Sequence, residues 1–130
     1  LHVKHKIMNI RTLFLVFAFS LLIAPVLSYS QKPEVDKIKM AQAWMRYNEE
    51  DYRGALRIYR ELFKITPDDA MLNFRAGQCY IEIQMMDSAL MYLEKALVAD
   101  TSLRNDVHYM IGQAYQCIGD ISKAIEQYML

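Results

Sequence analysis

The sequence predicts an all-α fold: a solenoid of antiparallel helix pairs, about two and a half to three repeats long. Three observations predict it. A small residue and an alanine recur at one spacing three times, as Ala43 with Ala55, Gly77 with Ala89, and Gly112 with Ala124. The three alanines stand 34 and then 35 residues apart, and each is followed four positions later by a bulky side chain: Tyr59, Leu93 and Tyr128. Finally, 54% of the 130 residues are apolar, enough for the core of one small domain.

The first element in chain order is an address, not part of the fold. Leu13 to Leu27 form an apolar run broken only by Ser20 and Pro25. Lys4, Lys6 and Arg11 precede it, and no acid occurs before Glu34. A basic start, an apolar middle and a small-residue end are the layout of a secretory signal peptide, assigned here to residues 1–30. Cleavage after Ser30 makes Gln31 the mature N-terminus; cleavage after Ser28 is the near alternative. The run is short of the ~20 residues that a membrane-spanning helix needs, which disfavours an uncleaved anchor. No Cys follows it, which disfavours a lipid anchor. The expected location is exported, periplasmic or outer-membrane associated, with membrane contact only through the signal segment. Met8 opens "MNIRTLFLV", itself a well-formed signal start, so residues 1–7 read as an over-extended or incomplete frame in which His2 and His5 carry no function; the alternative is an ordinary n-region. Residues 31–35 follow as a short linker. From Gln31 onward 12 basic residues face 15 acidic ones, a balance that argues against nucleic acid.

The repeats occupy residues 36–69, 70–104 and 105–130. Each predicts two helices, with the small residue of the first and the alanine of the second where the axes cross. Small side chains there admit close approach, and the bulky ones fill the space beside them. Leu62 and Ala96 continue the second-helix stripe seven residues after Ala55 and Ala89. Asp51 and Asp120 are placed to cap second helices. Pro67 in "KITPDD" suits a turn after a helix, and Thr101 stands at its place in "VADTS". The extra residue between the second and third repeats fits the loop around Ser102–Asp106. The first repeat departs from the pattern, with Arg46 where the others have Tyr80 and Tyr115. Two apolar stripes compete on its first helix: Ile38, Ala41 and Met45, or Met40, Trp44 and Tyr47. Its register stays open, and an atypical first unit suits an end whose outer face meets solvent.

These stretches resemble the tetratricopeptide repeat (TPR) family. The resemblance rests on "DYRGALRIYRELFKITPDD", "AGQCYIEIQMMDSALMYLEKALVAD" and "IGQAYQCIGDISKAIEQY", which together cover most of residues 36–130. Ala76-Gly77-x-x-Tyr80 and Ile111-Gly112-x-x-Tyr115 match the first-helix pattern well. The resemblance implies a TPR-type α-solenoid whose first helices line a concave groove for a partner segment. Carried over residue by residue, the groove takes Lys37, Met40, Trp44, Tyr47 and Asn48 from the first unit. The second supplies Met71, Phe74, Gln78, Ile81 and Glu82, and the third Asp106, Tyr109, Gln113, Gln116 and Cys117. The alternative is that Trp44, Phe74 and Tyr109 pack inside the stack or against a preceding segment. The groove has no pair of Lys or Arg residues set to clamp a carboxylate terminus, so an amphipathic helix or apolar strip fits better.

The implied function is a non-catalytic protein–protein interaction scaffold in the cell envelope, binding a peptide or helical segment of another envelope protein, with no cofactor. Exported arrays of this kind also resemble the N-terminal part of longer proteins that continue into a β-propeller and a domain like that of outer membrane protein A. Two other readings stand beside it. One is a glycan-binding helical protein of the starch-utilisation type, with Trp44 and the tyrosines stacking on sugars, although such proteins usually carry the lipid anchor that is missing here. The other is the accessory domain of a longer enzyme.

The remaining residues point to no chemistry. Cys79 and Cys117 sit at non-equivalent places on first helices whose axes should lie about 10 Å apart. A disulfide needs Cα atoms within about 7 Å, so a buried, apolar Cys79 is the expectation. His108 is expected at a loop end or as a cap. Three scattered His residues give no metal spacing, and there is neither a Gly-rich phosphate loop nor a nucleophile motif. "NEED" and "PDD" suit solvated helix ends, since neither follows a calcium-binding loop. The last stretch, "GDISKAIEQYML", begins the second helix of the third repeat. Against "SALMYLEKALVAD" it is several residues short, so it reads as a cut that leaves Ile121, Ile125 and Tyr128 partly uncovered. Marginal stability and self-association through that last helix are the expectations for residues 31–130.

Overall fold

The computed structural model describes residues 33–130, and the expected signal segment and start codon lie outside them. Among these residues six α-helices run in order: α1 (Lys37–Asn48), α2 (Tyr52–Phe63), α3 (Ala70–Glu82), α4 (Met86–Ala99), α5 (Arg104–Ile118) and α6 (Ile121–Tyr128), with a 3₁₀ turn at Thr101–Leu103 before α5. They form three successive helix pairs, and α2 and α4 each pack on the first helix of the next pair. Among the described residues there is no strand, and no helix is long and apolar enough to cross a membrane.

Local sequence explains the helix starts. Asp51 accepts from Gly54 N–H at 2.9 Å and Asp120 from Lys123 N–H at 3.1 Å, capping α2 and α6 as the sequence indicates. Asp36 does the same for α1, accepting from Ile38 and Lys39, and Asp69 for α3, accepting from Leu72 at 2.8 Å. The 3₁₀ turn, capped by Asp100, takes up the extra residue between the second and third repeats.

The turns inside the pairs are equally regular. Glu50, Gln84 and Gly119 occupy one position in the three repeats, and all have positive φ, at 62°, 61° and 91°. The residue after each, Asp51, Met85 or Asp120, donates its N–H to a carbonyl five residues back at 2.9 Å. That is the left-handed closure of a helix C-terminus, where glycine is preferred because a Cβ is strained there. Only the third repeat has the glycine. Glu50→Gly and Gln84→Gly are each expected to stabilise the fold by about 1 kcal/mol, read as a higher urea midpoint. Gly119→Ala should shift the midpoint down by a similar amount, because the space around Gly119 is open and only backbone strain opposes the new methyl.

Two clusters form the core. Ala43, Ala55, Tyr59, Leu62, Leu72, Ala76 and Cys79 join α1, α2 and α3. Phe74, Ile81, Ala89, Leu93, Ala96, Val107, Ile111 and Ala114 join α3, α4 and α5. Ala43 is fully buried, which settles the register of α1. Met40 and Tyr47 pack on the first cluster, whereas Ile38 and Met45 are 72% and 61% exposed. Of α6 only Ala124 is buried; Ile121, Ile125 and Tyr128 are exposed, as the sequence suggests.

Polar contacts pin the connections. Asn73, fully buried, donates through Nδ2 to the carbonyls of Pro67 and Asp69 and so holds the turn before α3. The Tyr59 hydroxyl is buried without a partner, and that burial pushes its pKa up. Cys79 is buried and free, its thiol pushed up to about 12 chiefly by burial, so it is an inert core residue. Cys117 is exposed and free. His108 differs from expectation. It lies within α5, not at a loop end, because the helix already begins at Arg104. Its ring is 2.8 Å from Oε1 of Gln127 on α6; an amide oxygen only accepts, so Nδ1 carries the proton and donates.

Candidate partner-binding face

The first helices of the three pairs, α1, α3 and α5, are spatial neighbours in sequence order. Each buries one side against its own second helix, through the small residues Ala43, Gly77 and Gly112. The residues assigned to a groove fall into three groups along these helices.

On α1, Trp44 is half-buried and its ring stacks on Tyr47, centroids 4.9 Å apart and planes within 8°. Tyr47 also meets Tyr52 edge-on and donates its hydroxyl to Glu82 Oε1 of α3 at 3.4 Å. Burial, and secondly the Glu82 charge, push the Tyr47 hydroxyl up to about 12. Met40 turns toward the first core cluster, while Lys37 and Asn48 are exposed. The Lys37 ammonium pairs with Glu34, an exposed contact of little energetic weight.

On α3, Met71 and Glu82 are exposed and Gln78 is half-buried. Phe74 and Ile81 are different: they are 7% and 8% exposed and belong to the second core cluster. Their side chains pack with Val107, Ile111 and Ala114 of α5, so they support the face without lining it. For Phe74, packing inside the stack is therefore the correct alternative. On α5, Tyr109 is 56% exposed and its hydroxyl accepts from Gln113 Nε2 at 3.2 Å. Gln116, Cys117 and Asp106 are exposed.

Two residues outside the groove set expected from the sequence complete the arrangement. The Arg75 guanidinium lies 3.6 Å from the centroid of Trp44, and its Nη1 donates to Gln78 Oε1 at 3.0 Å. Arg75 is the only Lys or Arg in α3, and that lone cation is the signal that could have found it. Tyr128 of α6 lies 5.8 Å from Tyr109, ring to ring, and donates to Gln116 Oε1 at 3.0 Å. Its equivalents Tyr59 and Leu93 are core residues, whereas Tyr128 lies on the partly uncovered last helix that the sequence suggests.

Three surface hollows flank these elements. One of ≈260 Å³, bordered by Asn105, His108, Tyr109, Gln127 and Tyr128, touches the end of the face. Another of ≈410 Å³ lies beside Met91, Glu94 and Val98, and one of ≈550 Å³ beside Gln42, Met45 and Ile58, both away from it. The face is thus an extended strip of aromatic, thioether and amide groups, suited to an elongated ligand. Among the described residues no group of three His, Cys, Asp or Glu side chains is placed to hold a metal ion.

Comparison with known proteins agrees with this geometry. Residues 72–101 and 106–130 match the family model described as tetratricopeptide repeat. The first helix pair, with its exposed Gln42 and Arg46, lies outside those residues. Over 78 residues, 59% of this chain, the sequence is 33% identical to the BBSome complex member BBS4 of Bos taurus, and the match spans 14% of that relative's length. A similar solved structure is the second TPR of Spaghetti (RPAP3) bound to HSP90 peptide SRMEEVD. It shares 18% identity, with a TM-score of 0.66 over 76% of this chain and 88% of that one. At that identity the likeness is one of fold.

Proposed function

We propose, for a chain whose fold is a TPR-type helical solenoid and whose second and third repeats match the tetratricopeptide repeat model, that it is a non-catalytic protein-interaction scaffold. Its partner segment lies along the face of α1, α3 and α5. The observation that carries this reading is the strip of Trp44, Met71, Gln78, Tyr109 and Gln113, left accessible on helices whose other sides are buried. Aromatic and thioether groups supply contact area, and the amides supply adaptable hydrogen bonds. The similar RPAP3 domain was solved with a peptide bound, which supports a peptide or helical segment as the ligand class.

The scaffold is further proposed to be exported and to act in the cell envelope, periplasmic or at the outer membrane, on another envelope protein. The support is the basic, apolar and small-residue layout of residues 1–30. The glycan-binding alternative loses ground at Trp44. Tyr47 and Arg75 both lie against that ring and take up π surface that a stacked sugar needs.

A test follows from the exposures. The full chain carrying Trp44→Ala, Met71→Ala and Tyr109→Ala is expected to recover its partner from an envelope extract at about a tenth or less of the wild-type yield, as loss of central anchors does. Met91→Ala with Val98→Ala, on the other side of the fold, should leave recovery intact. Equal recovery by both variants, each folded by circular dichroism, sinks the reading.

A further inference from the structure

We propose that Arg75 reads a carboxylate of the partner. The segment held along the first-helix face carries an Asp or Glu side chain, set between apolar residues, that docks on the guanidinium beside Trp44 and Gln78. This deepens the binding reading above and rests on it.

Two cations among the described residues are half-buried, Lys39 and Arg75. Lys39 has its counter-ion, Glu61, at 2.7 Å. Among the described residues Arg75 forms no ion pair: the four found there involve Lys37, Lys39, Arg46 and Lys123. A charge partly withdrawn from water without a counter-ion is unfavourable unless something compensates it. Trp44 compensates in part, since a cation over an indole is attracted by the negative face of the ring. The Phe74 ring, 5.9 Å away, adds a second aromatic neighbour.

This setting also prepares the group for a ligand. The indole fixes the plane of the guanidinium, and Gln78 engages Nη1. A guanidinium carries five N–H donors, so most remain for a partner. A planar fork held in place matches a carboxylate with two parallel hydrogen bonds, a geometry that a lysine lacks. Glu82, the one acid of α3, accepts from the Tyr47 hydroxyl and forms no ion pair with Arg75.

The charge count selects the ligand. Arg75 is the sole cation of α3, α1 brings only the exposed, paired Lys37 to the face, and α5 has only Arg104 at its first position. One fixed positive charge suits a single carboxylate, whereas a phosphate group carries close to two negative charges. The apolar groups nearby on the face, Trp44 under the guanidinium and the exposed Met71 one helical turn before Arg75, call for apolar residues flanking the acid.

Random 12-residue peptides displayed through their C-termini, so that side chains supply their only carboxylates, are selected on the full chain. The expected pool shows Asp or Glu at one fixed spacing from apolar residues. Changing that acid to its amide in a synthetic peptide should weaken binding to the wild type by about tenfold or more, the effect of a charge-assisted hydrogen bond. On Arg75→Gln the same change should have no effect, and Arg75→Lys should restore part of the difference. A pool without a fixed acid, or an amide change felt equally by wild type and Arg75→Gln, overturns the proposal. Peptides that bind Met71→Ala and Tyr109→Ala as well as wild type overturn the reading of the face itself. Peptides that need Met71 and Tyr109 but ignore Arg75 leave that reading standing and remove only this inference.

Discussion

Leu93→Ala is expected to lower the unfolding free energy by about 3 kcal/mol, within the ~2–5 kcal/mol typical of buried Leu→Ala changes. Leu93 is fully buried in the second core cluster, with its Cγ and Cδ2 where α4 crosses α3 at Gly77. Its neighbours include Ala89, Ala96 and Ala114, whose methyl groups are too short to move into the space it leaves. Removal therefore forfeits both the transfer free energy and the contacts across an open cavity. A small domain has only ~5–15 kcal/mol to lose, so the urea midpoint should fall markedly. The equivalent change in the third repeat provides the contrast. Tyr128 occupies the same place in the pattern but is 43% exposed. Tyr128→Ala should destabilise by less than half as much, and similar losses at the two sites would refute the view that α6, unlike α4, lies outside the core clusters.

Gly77→Val is expected to destabilise by about 3 kcal/mol, the upper end of the usual overpacking range. A Cβ built on Gly77 already stands 2.7 and 2.8 Å from two Leu93 carbons and 3.4 Å from the Ala89 carbonyl oxygen. Leu93 is enclosed and has nowhere to go, and valine adds two further methyl groups. Gly77→Ala meets the same obstacle in milder form, offset by about 1 kcal/mol from the better helix propensity of alanine. Combined with Leu93→Ala, it should be much less harmful than the two separate losses imply, because the new methyl enters the vacated space. Gly112 is the control. A Cβ there would come within 2.4 Å of the Tyr128 ring, but that ring is at the surface and can swing away, so Gly112→Ala should be near neutral. Additive losses in the Gly77/Leu93 pair, or equal effects at Gly77 and Gly112, would contradict this account of the helix crossing.

The architecture was legible because small residues where helices cross are a demand of contact distance, and Ala43, Gly77 and Gly112 meet it at one spacing. The caps at Asp51 and Asp120 were legible for a similar reason, being set by neighbours three residues away. The register of α1 was not. Its two stripes have similar apolar content, and only the first core cluster, which takes Met40 and Tyr47, distinguishes them. Phe74 and Ile81 illustrate a tertiary effect: their place in the repeat points to the face, but the approach of Val107 and Ile111 buries them. His108 was misplaced because the 3₁₀ turn lets α5 begin earlier than the repeat pattern suggests. Arg75 escaped notice because apolar periodicity passes over a cation, and nothing in the sequence brings it to Trp44, 31 positions earlier.

The two core clusters bear on how such a chain can grow. Each is enclosed by three helices, a pair together with the first helix of the pair that follows. The segment that recurs in the sequence is therefore not the segment that closes a cluster. Duplicating one stretch of about 34 residues inserts a pair whose first helix seals its predecessor and whose second helix presents a fresh seam. Lengthening by whole periods keeps every seam matched, whereas an insertion of half a period would set two second helices against each other and bring two large residues to a crossing that has room for one.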